Sequence, residues 1–228
     1  EGARFSPSTL GSAVFAGLVD ADFALSRADG DGVTLGAALA DIGYRGADAP
    51  PRNVAAYVEL HIEQGPELER AGSTIGVVEG NWGTVKYVAD IEGRAAHTGP
   101  TPMAARRDAL LPAAELVLCC RQMSDRTGGA LVSSVGRLDV QPNSTNVVPG
   151  RVRLFAEFRA LDPTMLADAC ARFEAKGRAL STEAVPVALT RTVDRPAGAF
   201  DARLRDLIED TAKSCGYASL RLNTVAGH

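Results

Sequence analysis

The sequence has few histidines, few aromatic residues and no signature of several large enzyme classes. Its 228 residues include 3 histidines and 1 tryptophan, and aromatic residues make up 5%. No apolar run approaches the ~20 residues that a membrane-spanning helix needs. The G-x-S-x-G, P-loop and G-x-G-x-x-G patterns are absent as well, so serine hydrolases and nucleotide-binding proteins have no support.

Neither charge nor cysteine content points to nucleic acid, an anionic membrane or a disulfide framework. The formal net charge is -4, with 24 basic and 28 acidic residues, which gives no electrostatic reason to expect a nucleic-acid or membrane partner. Cys119, Cys120, Cys170 and Cys215 contain no C-x-x-C pair. We therefore expect buried free thiols, a reducing compartment and a cytoplasmic location.

The remaining composition is that of a globular protein, with 46% hydrophobic residues. A chain of this length buries a core as one domain or two. It opens on EGARF without a methionine and stops at TVAGH. We expect it to be an internal piece of a longer protein.

The central part of the sequence predicts a β-α-β-β-α-β arrangement. Strands are expected at 84–92, 130–140, 151–159 and 185–193, and helices at 104–123 and 163–179. This order is typical of the ferredoxin-like fold, with four antiparallel strands backed by two helices. The fold class is therefore α/β, and the predicted layout is a first domain at 1–81, a ferredoxin-like domain at 82–196 and the first domain resumed at 197–228.

Outside that module the pattern predicts short helices and one strand. Apolar helical stretches occupy FAGLVDADFAL and TLGAALADIG, and a short helix PELERAG and a longer one at 199–216 follow. The alternation in VAAYVELHIEQ, residues 54–64, predicts a strand with Val58, Leu60 and Ile62 on one side. After the last helix, RLNTVAGH predicts a strand or a loop.

His61 lies on the other side of that expected strand, between Glu59 and Glu63. A neutral imidazole near a strand end can bind a metal ion while its second ring nitrogen is held by a carbonyl or carboxylate. A hydrated polar residue on a half-buried strand fits the spacing equally well. Both interpretations stay open on spacing alone.

His97 lies in GRAAHTGPTPMAARRDA, between a strand and a helix. Gly99, Pro100 and Pro102 predict a tight, stiff loop that would hold the ring in one place. Such a histidine suits hydrogen-bond donation to a developing oxyanion, and a histidine that caps nearby backbone fits as well. We interpret the segment from Arg106 to Asp108 as a solvated or capping first helical turn.

Asn146 and Arg159 are the remaining polar candidates. Asn146 lies in the turn-rich stretch QPNSTNVVPG, and Arg159 ends an expected strand. An amide and a guanidinium together could hold the carboxylate of a small substrate. Each could equally be structural.

Taken in order, the motifs EGARF, ELHIEQGP, AAHTGPTPMAARRDA, QPNSTNVVPG and AGH resemble one group of metal-dependent amidohydrolases. The chain is similar over essentially its whole length to the N-carbamoyl-L-amino acid hydrolases, β-ureidopropionases and allantoate amidohydrolases. These enzymes share the aminoacylase-like metallopeptidase fold. The resemblance implies an α/β catalytic domain with an inserted ferredoxin-like domain that serves as lid and dimerisation domain, and hence a homodimer.

The resemblance also implies a role for each candidate residue. Glu1 and His61 match metal ligands of a site for two divalent ions, which the residue types allow to be zinc, manganese, cobalt or nickel. His97 matches the catalytic residue that polarises the scissile carbonyl, often in a neighbouring subunit's site. The residues that match substrate contacts are Gln64, Asn146, Arg159, Gly227 and His228.

Three departures from the family pattern stand out. Glu157 replaces the usual aspartate two residues before the arginine, and Val225 replaces a small residue. The family's N-terminal histidine and aspartate ligands and its late C-terminal histidine have no counterpart here, and the general base would precede Glu1. We therefore expect the chain alone to be inactive and to bind metal weakly or not at all.

The expected reaction is hydrolysis of the C–N bond of an N-carbamoyl-L-amino acid by a metal-bridged water. One alternative keeps the enzyme class and changes the substrate to allantoate or another ureide. Another is a non-catalytic dimerisation or binding fragment, in which an open sheet edge pairs with a second copy.

Overall fold

A computed structural model describes residue 2 and residues 4–7, 9–46 and 53–226. The chain divides into two compact units, one within residues 1–62 and the other within residues 63–227. None of the helices in the described ranges has both the length and the apolar content that a bilayer crossing requires.

The first unit contains three short helices: α1 (Leu10–Phe15), α2 (Ala21–Ser26) and α3 (Leu35–Asp41). The side chains of Asp20 and Thr34 accept hydrogen bonds from backbone N–H groups of the first turns of α2 and α3, as N-cap residues do. A small core of buried residues lies among these helices and consists of Phe5, Leu10, Ala24 and Leu35. The helix predicted in TLGAALADIG is confirmed by α3, whereas in the stretch FAGLVDADFAL only Phe15 and residues 21–25 are helical.

The strand predicted at 54–64 is wrong. Residues 54–64 contain no regular secondary structure, and Val58, Leu60 and Ile62 are 62%, 94% and 75% exposed. A strand forms only where a neighbour takes its backbone N–H and C=O groups. No strand of the described ranges pairs with this segment, so the alternation of apolar and polar residues does not produce a strand here.

The second unit contains the remaining elements. In chain order they are α4 (Glu67–Ala71), β1 (Ile75–Asn81), β2 (Gly83–Glu92), β3 (Ala96–His97), α5 (Leu110–Asp125), β4 (Leu131–Gln141), β5 (Val147–Val148), β6 (Arg151–Ala160), α6 (Pro163–Leu180), β7 (Val187–Arg195), β8 (Gly198–Ala199), α7 (Ala202–Ser214) and β9 (Ser219–Thr224). The chain is therefore mixed α/β, as predicted.

Four strands form an antiparallel sheet in the order β4-β6-β2-β7. With α5 and α6 between them, the chain order is the predicted β-α-β-β-α-β. Alternate residues of β2 and β6 are buried, and at the centre of the core Tyr87, Phe158 and Phe173 pack with ring centroids 5.1 to 6.2 Å apart. This apolar face fixes the strand register, because a one-residue slip would expose it.

The helix predicted at 104–123 begins six residues later, at Leu110. Met103–Ala105 forms a single 3-10 turn, and the Arg94 N–H donates to the Arg107 carbonyl at 2.8 Å in an antiparallel bridge. The Asp108 carboxylate then accepts from the Leu110 N–H at 2.9 Å. Pro112 falls in the first turn, where its missing N–H breaks no helical hydrogen bond.

A second sheet joins segments that are far apart in the sequence. Its order is β8-β1-β9, with β1 parallel to β9 and antiparallel to β8. It is linked to the four-stranded sheet by Trp82 alone between β1 and β2, and by two residues between β7 and β8. Sequence reasoning did not predict β1, whose stretch IGVVEGN is short and contains two glycines.

The cysteines are free thiols, but not all are buried. Cys120 and Cys170 are buried, Cys119 is half-buried and Cys215 is exposed. Burial raises the pKa of the Cys120 and Cys170 thiols, which makes them inert core residues. The expectation of burial is therefore wrong for Cys215, which caps the exposed C-terminal end of α7.

Candidate active site

His97 and Asn146 lie next to each other at one end of the four-stranded sheet. The short strands β3 and β5 form a two-stranded ladder in which His97 is opposite Val147. The Thr98 N–H donates to the Asn146 carbonyl at 3.0 Å. The structure thus brings together two of the residues that the sequence singled out.

The His97 ring is held in one tautomer. Its Nδ1 accepts a hydrogen bond from the Gly99 N–H at 3.0 Å, so the proton of the neutral ring lies on Nε2. The ring is exposed and offers an Nε2–H donor. A Cβ atom at position 99 would lie 3.4 Å from the His97 ring. Glycine therefore lets the residue-99 backbone approach the ring without a side chain between them.

The segment from His97 to Arg106, here the His97 loop, closes on itself. The Thr101 N–H donates back to the His97 carbonyl at 3.4 Å. Arg106 donates from Nε to the Thr101 carbonyl at 3.2 Å and from Nη2 to the Thr98 carbonyl at 2.5 Å. Arg106 was expected in a helical turn and is instead a loop residue that bonds to the loop's carbonyls.

Asn146 has an amide group oriented by its own turn. Its Oδ1 accepts from the Ser144 hydroxyl at 2.8 Å, and the Val147 N–H donates to the Ser144 carbonyl at 3.3 Å. This leaves the amide N–H groups of an exposed side chain to donate to another acceptor.

Arg159 lies near the other end of the same sheet. On β6 it is opposite Thr84 of β2 and Val132 of β4. Its guanidinium donates to the Glu157 carboxylate through Nε, at 2.5 Å, and to the Val225 carbonyl through Nη1. Its Nη2 has no acceptor among the described residues and can donate to a ligand.

Asn146 and Arg159 of one chain are therefore not neighbours. The Glu92–Arg151 pair ends the β2–β6 ladder on the side of His97 and Asn146, and the Gly83–Ala160 pair ends it on the side of Arg159. At about 3.3 Å per residue, the eight steps from Arg151 to Arg159 span roughly 26 Å. Within a single chain, Asn146 and Arg159 cannot hold the same small carboxylate.

Glu157 orients Arg159 and is itself paired twice. Its second oxygen accepts from the Lys86 ammonium at 2.6 Å. Burial alone would raise the pKa of the Glu157 carboxyl, but hydrogen bonds and charge from Arg159 and Lys86 outweigh it and lower the pKa. The sequence marks Glu157 only as a departure from the family pattern, because its pairing with Lys86 arises from the β2–β6 register, which sequence spacing does not reveal.

This pairing predicts a pH-dependent stability. A carboxyl whose folded-state pKa lies below its ordinary value of 4.5 stabilises the fold when ionised, and that contribution is lost as the pH falls through the lowered value. Glu157→Gln should therefore reduce the free energy of unfolding at neutral pH, and its curve should converge with the parent below about pH 4.5. Denaturant titrations across that pH range measure this, with Glu69→Gln, an exposed carboxylate on α4, as control. Parallel curves for the parent and Glu157→Gln would contradict the prediction.

His61 presents a ring nitrogen of the kind that binds metals. Its Nδ1 lies 2.6 Å from the Ile62 carbonyl oxygen, so Nδ1 carries the proton and the lone pair is on Nε2. A carbonyl that orients the second nitrogen is the usual support of a metal-bound histidine. The strand that was expected to carry His61 is absent, and the residue lies on an exposed irregular segment.

Gln64 lies at a turn that the neighbouring glutamate stabilises. Gln64 has a left-handed φ of 56° and is exposed. The Glu63 carboxylate accepts from the Glu67 and Leu68 N–H groups at 2.7 and 2.9 Å, which caps α4. A Cβ at Gly65 would lie 2.8 Å from that carboxylate, so a larger residue there would require the Glu63 side chain to shift.

The described residues do not by themselves form a metal centre. They contain no group of three or more histidine, cysteine, aspartate or glutamate side chains placed to hold an ion. The chemistry of His61 fits one ligand position, and one imidazole does not complete a site for two ions. Glu1, Gly227 and His228 lie outside the described residues.

Comparison with known proteins gives relatives along the whole chain. No family model matches. The chain is 35% identical over 230 residues to an N-carbamoyl-L-amino-acid amidohydrolase of Rhizobium meliloti, which covers 100% of this chain and 55% of that protein. It is 34% identical over 186 residues to an allantoate amidohydrolase of Escherichia coli, covering 80% of this chain and 45% of that protein.

Comparison with solved structures leads to the same group of enzymes. A crystal structure of a hydantoinase/carbamoylase family amidase from Burkholderia vietnamiensis superposes with a TM-score of 0.88 at 38% identity, covering 100% of this chain and 55% of that chain. The chain spans about half the length of the relatives it matches.

Proposed function

Since the chain belongs to the group of N-carbamoyl-L-amino-acid and allantoate amidohydrolases, we propose that the whole protein hydrolyses the C–N bond of an N-carbamoyl-L-amino acid. The observation that carries this proposal is the 35% identity over the whole chain to the Rhizobium meliloti enzyme. The His97 tautomer supports it, because hydrolysis of a carbamoyl group needs a hydrogen-bond donor at the carbonyl oxygen.

In this proposal His97 is the catalytic residue of the chain. Its Nε2–H donates to the carbamoyl oxygen and stabilises the negative charge that develops there. The ring needs no rearrangement to do so, because Gly99 already fixes the proton on Nε2. The adjacent Asn146 amide donates to the same substrate molecule.

Arg159 binds the substrate carboxylate through its guanidinium fork, which suits a planar anion. Glu157 holds the Nε edge of the fork, and Nη2 faces no described acceptor. The proposed remaining substrate contacts are Gln64, Gly227 and His228. By fixing the substrate at both ends, these residues would supply orientation as well as affinity.

Two divalent ions, zinc, manganese, cobalt or nickel, would supply an activated water when bound. His61 would bind through Nε2 while its Nδ1–H donates to the Ile62 carbonyl, and Glu1 is the proposed carboxylate ligand. The other ligands and the general base would belong to the part of the family fold that these residues do not span.

We also propose that the protein is a homodimer whose sites are shared between subunits. The support is the distance of roughly 26 Å along β6 from Arg151 to Arg159, which separates Arg159 from His97 and Asn146 in one chain. A site that uses all three would take Arg159 from one subunit and His97 with Asn146 from its partner. The four-stranded sheet, with its open edges at β4 and β7, would provide the dimer contact.

Allantoate is the second candidate substrate, because of the similarity to the Escherichia coli allantoate amidohydrolase. It also carries a ureido group and a carboxylate, so the same donors would serve it.

The test is to assay the whole protein on N-carbamoyl-L-amino acids and on allantoate side by side, before and after a chelator and after adding back each metal. We expect turnover of a carbamoyl amino acid that the chelator abolishes and one of the metals restores. The 228-residue chain assayed alone should turn over neither substrate. Turnover of allantoate alone would favour allantoate as the substrate. Turnover that resists the chelator would overturn the metal dependence.

A further inference from the structure

One side chain controls the conformation of the His97 loop. Pro100 and Pro102 have no backbone N–H, so the loop has few donors with which to satisfy its own carbonyls. The Arg106 guanidinium supplies them. It donates through Nε and Nη2 to the carbonyls of Thr101 and Thr98, which flank the Gly99–Pro100 turn on either side.

The Thr98 carbonyl and the Gly99 N–H belong to the same peptide unit. A peptide unit is planar and trans, so its C=O and N–H point in opposite directions. When Arg106 fixes the Thr98 oxygen at 2.5 Å, it also fixes the direction of the Gly99 N–H. That N–H meets His97 Nδ1 at 3.0 Å. A cation at the carbonyl also polarises the peptide unit and strengthens the N–H as a donor.

We propose that Arg106 is a positioning residue that sets the tautomer of His97. Through the Thr98–Gly99 peptide unit, its guanidinium holds a donor against Nδ1 and so keeps the ring proton on Nε2. That this Nε2–H then acts on a substrate rests on the proposed function. The control of the tautomer by Arg106 does not depend on the proposed function, and it can be measured on the chain without any substrate.

The neighbouring residue provides a matched control. Arg107 is exposed and takes part in the Arg94 bridge through its backbone carbonyl. Arg107→Ala removes the same charge and side chain one residue away and leaves both carbonyl contacts of Arg106 in place.

The experiment is NMR of the imidazole nitrogens in the 228-residue chain labelled with ¹⁵N-histidine. The chain has only 3 histidines, and the signals of His97 are assigned by their loss in His97→Gln. At about pH 8, above the ordinary imidazole range, the parent and Arg107→Ala should show an unprotonated Nδ1 and a protonated Nε2. In Arg106→Ala the two nitrogens should shift toward each other, as in a mixture of tautomers.

Arg106→Lys serves as a second variant in case the alanine variant does not fold. A lysine ammonium carries all its donors on one atom and cannot reproduce the fork, so its His97 signals should lie between those of the parent and a mixture. Parent-like His97 signals in a folded Arg106→Ala or Arg106→Lys variant would overturn the proposal.

The whole protein gives a second measurement. Arg106→Ala should lower kcat by up to about 100-fold with less effect on KM, and Arg107→Ala should not. If the tautomer shifts as expected and the whole protein has no carbamoylase or allantoate activity, the proposed function fails and the role of Arg106 stands. If kcat falls and the tautomer does not change, the role of Arg106 fails.

Discussion

His97→Ala in the whole protein is expected to lower kcat by about 10²- to 10³-fold, the usual effect of removing one donor from an oxyanion site. KM should change much less, since the hydrogen bond strengthens as charge develops on the carbonyl oxygen. The structural basis is the tautomer, with Nδ1 accepting from Gly99 and Nε2–H left to donate. Steady-state kinetics on the carbamoyl substrate measure the effect.

The control for this substitution is His97→Gln, which keeps an N–H donor of similar reach and should recover part of the lost kcat. Thermal unfolding of both variants should match the parent, because the ring is exposed and contributes little to the core. A near-parent kcat for His97→Ala would show that His97 does not act in the reaction.

Mixing two inactive variants of the whole protein is expected to restore activity. If Arg159 comes from one subunit and His97 from the other, a heterodimer of His97→Ala and Arg159→Ala has one site with both defects and one intact site. Random pairing then gives about one quarter of the parent activity. The measurement is turnover after co-expression or subunit exchange, compared with each variant alone.

The matched control uses two residues from the same end of the sheet. His97→Ala mixed with Asn146→Ala should recover nothing, because His97 and Asn146 enter a site together and every site of the heterodimer then has one defect. No recovery with the Arg159 variant would place all three residues in one subunit's site and contradict the separation along β6.

Local patterns predicted the four-stranded sheet well. The alternation in RVRLFAEFR, residues 151–159, has one apolar face, and that face is buried at the centre of the sheet. The same kind of alternation at 54–64 misled, because periodicity reports which side of a strand would be apolar and not whether a partner strand exists. The late start of α5 depends on the bridge between Arg94 and Arg107, a contact that local propensity does not contain.

The candidate site was predictable in its residues and less so in its geometry. The sequence marks His97 and Asn146 separately, and the hydrogen bond from the Thr98 N–H to the Asn146 carbonyl shows that their backbones are close together. Asn146 and Arg159 were expected to act together because an amide and a guanidinium suit one carboxylate, but β6 places Arg159 at the opposite end of the sheet from Asn146. Arg106 was missed, although the two prolines of the loop signalled that its carbonyls need a side-chain donor.

The two links between the sheets have a mechanical consequence. Trp82 alone joins β1 to β2, and two residues join β7 to β8. These links run side by side, because β1 pairs with β8 and β2 pairs with β7. Two short covalent links that lie side by side resist sliding and twisting of one sheet against the other more than bending about the line through both. The hydrogen bond from Arg159 of β6 to the Val225 carbonyl, next to β9, crosses the same boundary.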